Sequence, residues 1–415
     1  MDDGRKQALR VQFDGKIKLR FHGAKITSDA GLLAFRELDQ AFRLTERGST
    51  VSSGRGRGKN TQHTMLAMLR QGVYGRLAGY EDVNDADRLR VDPTMRRVVG
   101  GRAKEKEAES TSEMSRFETE ILSSRENLTA LMNLSGTWID SVHECDLLDK
   151  LILDLDSSVS ETHGEQQGSA YNGYFECPDV HRDYHSLFLF NRYGDLERAM
   201  LRRGNHNSTK FWRRVLLPVI ERYRDRNIPK YFRGDAAFAI PALQRVLEKE
   251  GFQYTIRIPA NAVLMDSINH LLTRPVGRPS YEPKVFYESF SYQAQSWRRP
   301  RRVIAKVEWH WDESLPRVGF IVTNITGWSR KVVKFYNGRS TAEQRIKKGK
   351  YAVKWTRLSC RDFKDDQARP QLFTLAYNLG NFLRRLALPR SVKHWSLIPV
   401  RRDYAKNGSR SVPRW

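Results

Sequence analysis

The chain has 415 residues, with 72 Lys and Arg against 48 Asp and Glu and a formal net charge of +24. That length exceeds one ordinary domain, so two or three are expected to share it. So basic a balance points to a polyanionic partner, most commonly nucleic acid, and no run approaches the ~20 apolar residues of a membrane-spanning helix. The start, MDDGRKQALRVQ, lacks the apolar core of a secretory signal. Cys145, Cys177 and Cys360 are scattered and odd in number, so no disulfide framework is expected and a reducing cytoplasm fits.

Residues 11–21 alternate apolar and polar side chains around Asp14-Gly15, which predicts a hairpin. Ser28 is the expected cap of a helix with an apolar stripe of Leu32, Leu33, Phe35, Leu38 and Phe42. Residues 48–60 are Gly, Ser and Arg with little to bury and read as a flexible basic loop; Arg55, Arg57 and Lys59 there are candidate phosphate contacts without sequence information. From Thr61 to about His143 the pattern is helical, with breaks at Gly79, Pro93 and Gly100-Gly101. Within it, STSEMSRFETEI opens on Ser and Thr caps and exposes Arg116, as a DNA-recognition helix or a plain bundle helix would.

At Leu151 the character changes. LILDLDSS, HSLFLFNRY and LERAMLRR read as three strands, the last two joined at Gly194-Asp195. A helix capped by Ser208 follows, then the strand KYFRGD, a helix opened by Pro241, and the strand QYTIRIP. A meander followed by alternating helices and strands predicts an α/β domain of RNase H-like topology, a mixed sheet with flanking helices. VFYESFSYQ, RRVIAKVEWHW and RVGFIVTNI predict a β-rich insertion apart from that sheet. Helical patterns resume near Ser340, and QLFTLAYNLGNFLRRLAL is a strongly apolar helix; the tail from Pro389 is basic and expected to be peripheral. The expected divisions are 1–47 (hairpin and helix), 48–60 (loop), 61–147 (helical, DNA-binding) and 148–259 (first part of the catalytic domain). Beyond them come 260–328 (insertion), 329–388 (second part of the catalytic domain) and 389–415 (tail).

Cutting a phosphodiester takes two divalent ions about 3.5–4 Å apart. Mg²⁺, or Mn²⁺ in its place, takes hard oxygen ligands and keeps several waters, so a few carboxylates suffice. Three places qualify. Asp154 and Asp156 project from one face of an otherwise apolar strand, which is costly unless they bind something or that face is wet. Asp235 ends a short strand just before a turn, where α/β sheets present ligands, although a cap would look the same. Glu343 shares a helix face with Arg339 and Lys350, as an ordinary ion-paired face also would. Elsewhere, Cys177, His181 and His185 match no standard zinc spacing. His163, close behind the first acid strand, reads as a structural loop histidine ahead of one lining the active site, and Trp297, Trp309 and Trp311 as core or as a base-stacking platform.

Tyr336-x₂-Arg339-x₃-Glu343-x₆-Lys350 resembles the signature around the third catalytic acid of bacterial insertion-sequence DDE transposases. ITSDAGLLAFRELD, YEDVNDADRLRVDP, LDLDSS with THG, YFRGDAAF, RRVIAKVEW, FIVTNI and LAYNLGNFLRRLALP resemble the group 1 subfamily, from about residue 11 to 389. The resemblance implies a transposase that hydrolyses transposon-end DNA with Mg²⁺ and joins the ends to target DNA, as a dimer on the DNA, in the bacterial cytoplasm and nucleoid. It implies Asp156 as first acid, with Asp154 the near alternative, Asp235 as second and Glu343 as third. Tyr336, Arg339 and Lys350 would grip DNA near the scissile phosphate, Arg as a fork and Lys as a point charge. The chain departs from the family pattern at Ser340, Lys348, residues 176–185 and Arg203, and after Pro399. Two rivals stand beside this reading: a nuclease of the same fold without strand transfer, and a catalytically inactive DNA-binding descendant.

Overall fold

The computed structural model describes residues 9–10, 12–14, 18–19, 27, 29–48, 64–171, 182–277, 281–389, 391–393, 395–400 and 402. The hairpin is present, but its paired residues sit further out than the Asp14-Gly15 turn suggests: β1 (Leu9–Arg10) pairs antiparallel with β2 (Lys18–Leu19). Helix α1 (Leu32–Phe42) buries Leu32, Phe35 and Leu38 as its stripe requires. It starts after Gly31 with no side-chain cap, and Ser28 lies outside the described residues. After α2 (Leu44–Arg47), Thr64 opens α3 (Met65–Ala78) by accepting from the Ala67 N–H. Gly79 closes it at φ 91°, a left-handed turn that a Cβ would resist. Helices α4 (Ala86–Leu89), α5 (Pro93–Val99, with Pro93 in the first turn), α6 (Thr111–Arg116, capped by Ser110) and α7 (Arg125–His143, capped by Ser124) follow. The breaks fall where Gly79, Pro93 and Gly100 place them.

Strands β3 (Leu151–Glu161), β4 (Asp183–Asn191) and β5 (Leu196–Met200) form the expected antiparallel meander. Helix α8 (Trp212–Arg222) leads to β6 (Lys230–Gly234), and α9 (Pro241–Lys249) to β7 (Gln253–Ile258). Ser208 does not cap α8. The helix begins after Phe211 in a left-handed conformation (φ 64°), and the Ser208 hydroxyl instead accepts from Ser157 on β3. Strands β3, β6 and β7 run parallel, giving the RNase H-like order β5-β4-β3-β6-β7.

The insertion is β-rich, but it is not a separate sheet. After α10 (Ala262–Asp266) come β8 (Lys284–Tyr292), β9 (Arg301–Trp309) and β10 (Arg317–Thr323). β10 pairs antiparallel with β7, so all three extend one eight-stranded sheet in the order β10-β9-β8 beyond it. Otherwise β7 would offer an unpaired edge.

One sheet face carries Leu153, Leu155, Leu187, Leu189, Tyr254 and Ile256 against α8 and α9. The other is covered by α11 (Ser329–Asn337), α12 (Ser340–Ala352) and α13 (Phe363–Phe382). Helix therefore resumes at Ser329, earlier than the sequence pattern suggests. The N-terminal helices do not form a core of their own: Leu69, Val73, Leu131 and Trp138 share one with Leu372, Phe373 and Ala376 of α13 and with Phe188 and Phe190 of β4. Buried Glu118 ties them further, pairing with Arg76 of α3 at 2.8 Å and Arg369 of α13 at 3.3 Å. Nor is the whole tail peripheral, since Leu397 and Val400 of α14 (Leu397–Val400) enter the same core.

Candidate active site

Alternation along β3 sends Leu153 and Leu155 to one side and Asp154 and Asp156 to the other. The parallel register pairs Leu155 with Gly234, so the next residues, Asp156 and Asp235, emerge side by side where β6 ends. Asp235 caps its own turn, accepting from the Ala237 N–H at 3.0 Å, and Asp156 accepts from the Ser157 N–H at 2.9 Å. Helix α12 crosses above them, with Arg339 at its start and Glu343 in its first turn. The Arg339 guanidinium reaches Asp156 at 3.0 Å, Asp235 at 3.4 Å and Glu343 at 3.1 Å. Acids about 80 and 110 residues apart thus meet around one cation at a cleft of about 510 Å³, which Tyr336, Lys350, Arg257 and Lys347 also line.

Asp156 is 5% exposed, and burial pushes its carboxyl up to about 7; Arg339 pulls it back down and Asp235 pushes it further up. Burial also raises Asp235, again against Arg339. Burial acts most strongly and lowers Arg339, but Asp156, Asp235, Tyr336 and Glu343 together hold the guanidinium above its ordinary value. Lys350, half-buried and donating to the Val159 carbonyl at 2.9 Å, is lowered by burial, and Tyr336 is raised by it.

Three carboxylates are the hard donor set that Mg²⁺ or Mn²⁺ takes. Among the described residues, however, no three His, Cys, Asp or Glu side chains converge closely enough to hold one ion as they stand. They converge on Arg339, whose positive charge lies between them. The donor chemistry fits such an ion, which would compete with Arg339 for the same oxygens.

The other sequence candidates separate clearly. Asp154 is fully buried outside the cleft, held by Arg233 at 2.6 and 2.7 Å. Arg116 is exposed at the end of α6, some way along the chain from the acids. Arg55, Arg57 and Lys59 lie outside the described residues, as do Cys177 and His181. His185 is buried, its Nδ1 2.7 Å from the His206 carbonyl, while His163 is exposed. Trp297 and Trp309 belong to the core, and Trp311 is exposed beside Tyr281. Sequence reasoning missed Arg257, Lys347, Ser157 and Ser158 at the cleft. Arg257 carried a usable signal: it alternates with Ile256 and Ile258, so it had to leave the apolar face. Lys347 had one too, four residues past Glu343 on the same helix face.

This α/β fold, with acids from two neighbouring parallel strands and a facing helix, defines a DDE-type enzyme domain. The chain matches the transposase DDE domain group 1 family over residues 9–410, and it belongs to that family. No functionally curated protein matches the sequence. Among solved structures the chain is similar to a piggyBac transposase determined by cryo-EM in a synaptic complex with hairpin DNA. Identity is 11% and the TM-score 0.41, over 93% of this chain and 82% of that one, a likeness too distant to bear on the chemistry. Among the described residues, no helix is long and apolar enough to cross a membrane.

Proposed function

We propose that the protein cuts double-stranded DNA at the ends of a mobile element and joins the freed 3′-hydroxyls to target DNA, with Asp156, Asp235 and Glu343 as its catalytic acids. The observation that carries this reading is the meeting of those three side chains, from β3, the end of β6 and α12, around one guanidinium at the cleft. When bound, Mg²⁺ or Mn²⁺ would activate the attacking oxygen and stabilise the leaving one. The three carboxylates would hold it, with Asp156 giving up its proton as it does so.

Arg339, Lys350, Arg257 and Lys347 place positive charge around the acids, where a phosphodiester would lie. Arg339 changes partner in this reading: its fork leaves the carboxylates and takes phosphate oxygens. Lys350 sits on the next turns of the same helix and contributes a point charge. Tyr336 closes the cleft beside Arg339. Coordinated cutting of two ends calls for two copies of the chain on the DNA, a consequence of the reaction itself.

The test is single-turnover nicking of labelled element ends by purified protein with Mg²⁺ or Mn²⁺, followed by joining of pre-cut ends. Asp156→Ala, Asp235→Ala and Glu343→Ala are each expected to lose about a thousandfold or more in cleavage rate while still binding DNA. Near-normal cleavage by folded Glu343→Ala removes the assignment. Nicking without joining leaves a nuclease in place of a transposase.

A further inference from the structure

Beneath the acids lies a second ionic constellation, in which Asp154 and Arg233 are buried and Arg345 is partly so. Asp154 of β3 is fully buried, and both of its oxygens are taken by Arg233 of β6, Nε to Oδ1 at 2.6 Å and Nη2 to Oδ2 at 2.7 Å. Arg345 of α12 adds a contact to Oδ2 at 3.4 Å. The two arginines reach further. Arg233 donates to the Phe335 carbonyl at the end of α11 at 3.1 Å, and Arg345 to the carbonyls of Asn191 and Arg192 in the β4–β5 turn at 2.7 and 2.9 Å. Space is left for both guanidiniums by glycine. A Cβ on Gly194 would stand 3.1 Å from Arg345 Nε, at a φ of 85° that already favours glycine, and a Cβ on Gly338 would overlap Arg233.

The spacing is the telling feature. Each member of this trio lies two residues from one acid, on the same element or, for Asp235, just past its end: Asp154 from Asp156, Arg233 from Asp235, and Arg345 from Glu343. On β3 two residues return to the same face, so fixing Asp154 fixes the height and tilt of Asp156. Asp235 follows directly on the strand end that Arg233 anchors. On a helix, residues two apart point in nearly opposite directions. Pinning Arg345 on the inner side of α12 therefore fixes the rotation at which Glu343 projects on the other.

We infer that Asp154, Arg233 and Arg345 form a buried ionic clamp that sets the mutual geometry of Asp156, Asp235 and Glu343, with Asp154 a positioning residue and not a ligand. A bidentate pair inside the protein is stiff, because its donors have no water to exchange with. It also cannot be traded for one neutral partner without leaving a guanidinium buried and unmatched. The inference rests on the reading of the three acids as catalytic.

The experiment uses the full chain, with Mn²⁺ as the probe. Binding of the ion is followed by the loss of its free-ion electron paramagnetic resonance signal, alongside nicking of element ends and a thermal melt. The proteins are the unmodified chain, Asp154→Asn, Arg345→Lys and Asp156→Asn. Groups that orient metal-holding side chains typically change affinity by about 10- to 100-fold when altered. Asp154→Asn is therefore expected to melt cooperatively, to need about 10- to 100-fold more Mn²⁺ both for binding and for half-maximal nicking, and to recover most of its rate at saturating ion. Arg345→Lys keeps the charge but not the fork, and should shift the same way by less. It decides the matter if Asp154→Asn does not fold. Asp156→Asn should not nick at any Mn²⁺ concentration. Unchanged Mn²⁺ dependence in folded Asp154→Asn or Arg345→Lys overturns the clamp. A folded Asp154→Asn that is inert at every Mn²⁺ concentration overturns it in another way, by making Asp154 a ligand. If the unmodified chain neither binds Mn²⁺ nor nicks, the catalytic reading of the acids fails, and the clamp fails with it.

Discussion

Lowering the pH from 8 to 6 should weaken metal binding by this protein about tenfold, through Asp156. Its carboxyl is buried and raised to about 7. A carboxyl of that kind is about nine-tenths ionised at pH 8 and about one-tenth at pH 6, and only the ionised form offers a full ligand. Asp235, raised in the same direction by the same cause, steepens the dependence. The stability of the metal-free protein carries the matching sign. Below 3.8 the Asp156 carboxyl is protonated in folded and unfolded chains alike, and its contribution is then fully present. It is lost as pH rises to about 7, because over that window the folded state binds more protons than the unfolded one. Roughly three pH units separate the two values, which amounts to about 4 kcal/mol at most. The gain in melting temperature on adding Mn²⁺ should therefore grow from pH 6 to pH 8. Calorimetric titration of the full chain with Mn²⁺ at several pH values reads the effect directly. Arg339→Met, which removes the charge holding the carboxyl down, should move the midpoint upward. An affinity that changes by less than about twofold between pH 6 and 8 would refute the reasoning, because Asp156 would then be ionised throughout or not a ligand.

Arg339→Ala and Lys350→Ala should slow reaction at bound ends more than they weaken binding, with the slope of log affinity against log salt changing by only about 0.9 for each lost phosphate contact; unchanged turnover in both would return them to an ordinary ion-paired face. Arg116→Ala in the full chain should cost roughly 1–3 kcal/mol of preference for the element's terminal repeat over scrambled DNA, if that exposed residue reads a base, as competition binding at fixed salt will show. The full chain is needed because the N-terminal helices share their core with α13. Gly349→Ala should destabilise the protein by about 1–3 kcal/mol in a denaturant melt, because the added methyl overlaps the Trp355 ring packed against α12; a neutral result would show that Trp355 can move.

The sequence by itself determined most of the local elements and narrowed the candidate acids to Asp154 or Asp156, Asp235 and Glu343. Gly79 and Gly100 end helices because glycine takes the positive φ of 91° and 79° without strain, and Pro93 begins one because its fixed φ and missing N–H suit the first turn. The alternation in LILDLDSS put Asp154 and Asp156 on one face, and the interval from Arg339 to Lys350 put both with Glu343 on one helix face. Local pattern could not say which of the two aspartates meets the other acids. Only the parallel register of β3 on β6 decides that, setting Asp156 beside Asp235 and Asp154 beside Arg233. Nor could it show that the three inserted strands join the main sheet, since a β pattern records which faces are apolar and not which edge a strand pairs with. The same holds for the N-terminal helices. Their apolar stripes show that they need a partner, and α13, more than two hundred residues later, became that partner only when the chain folded.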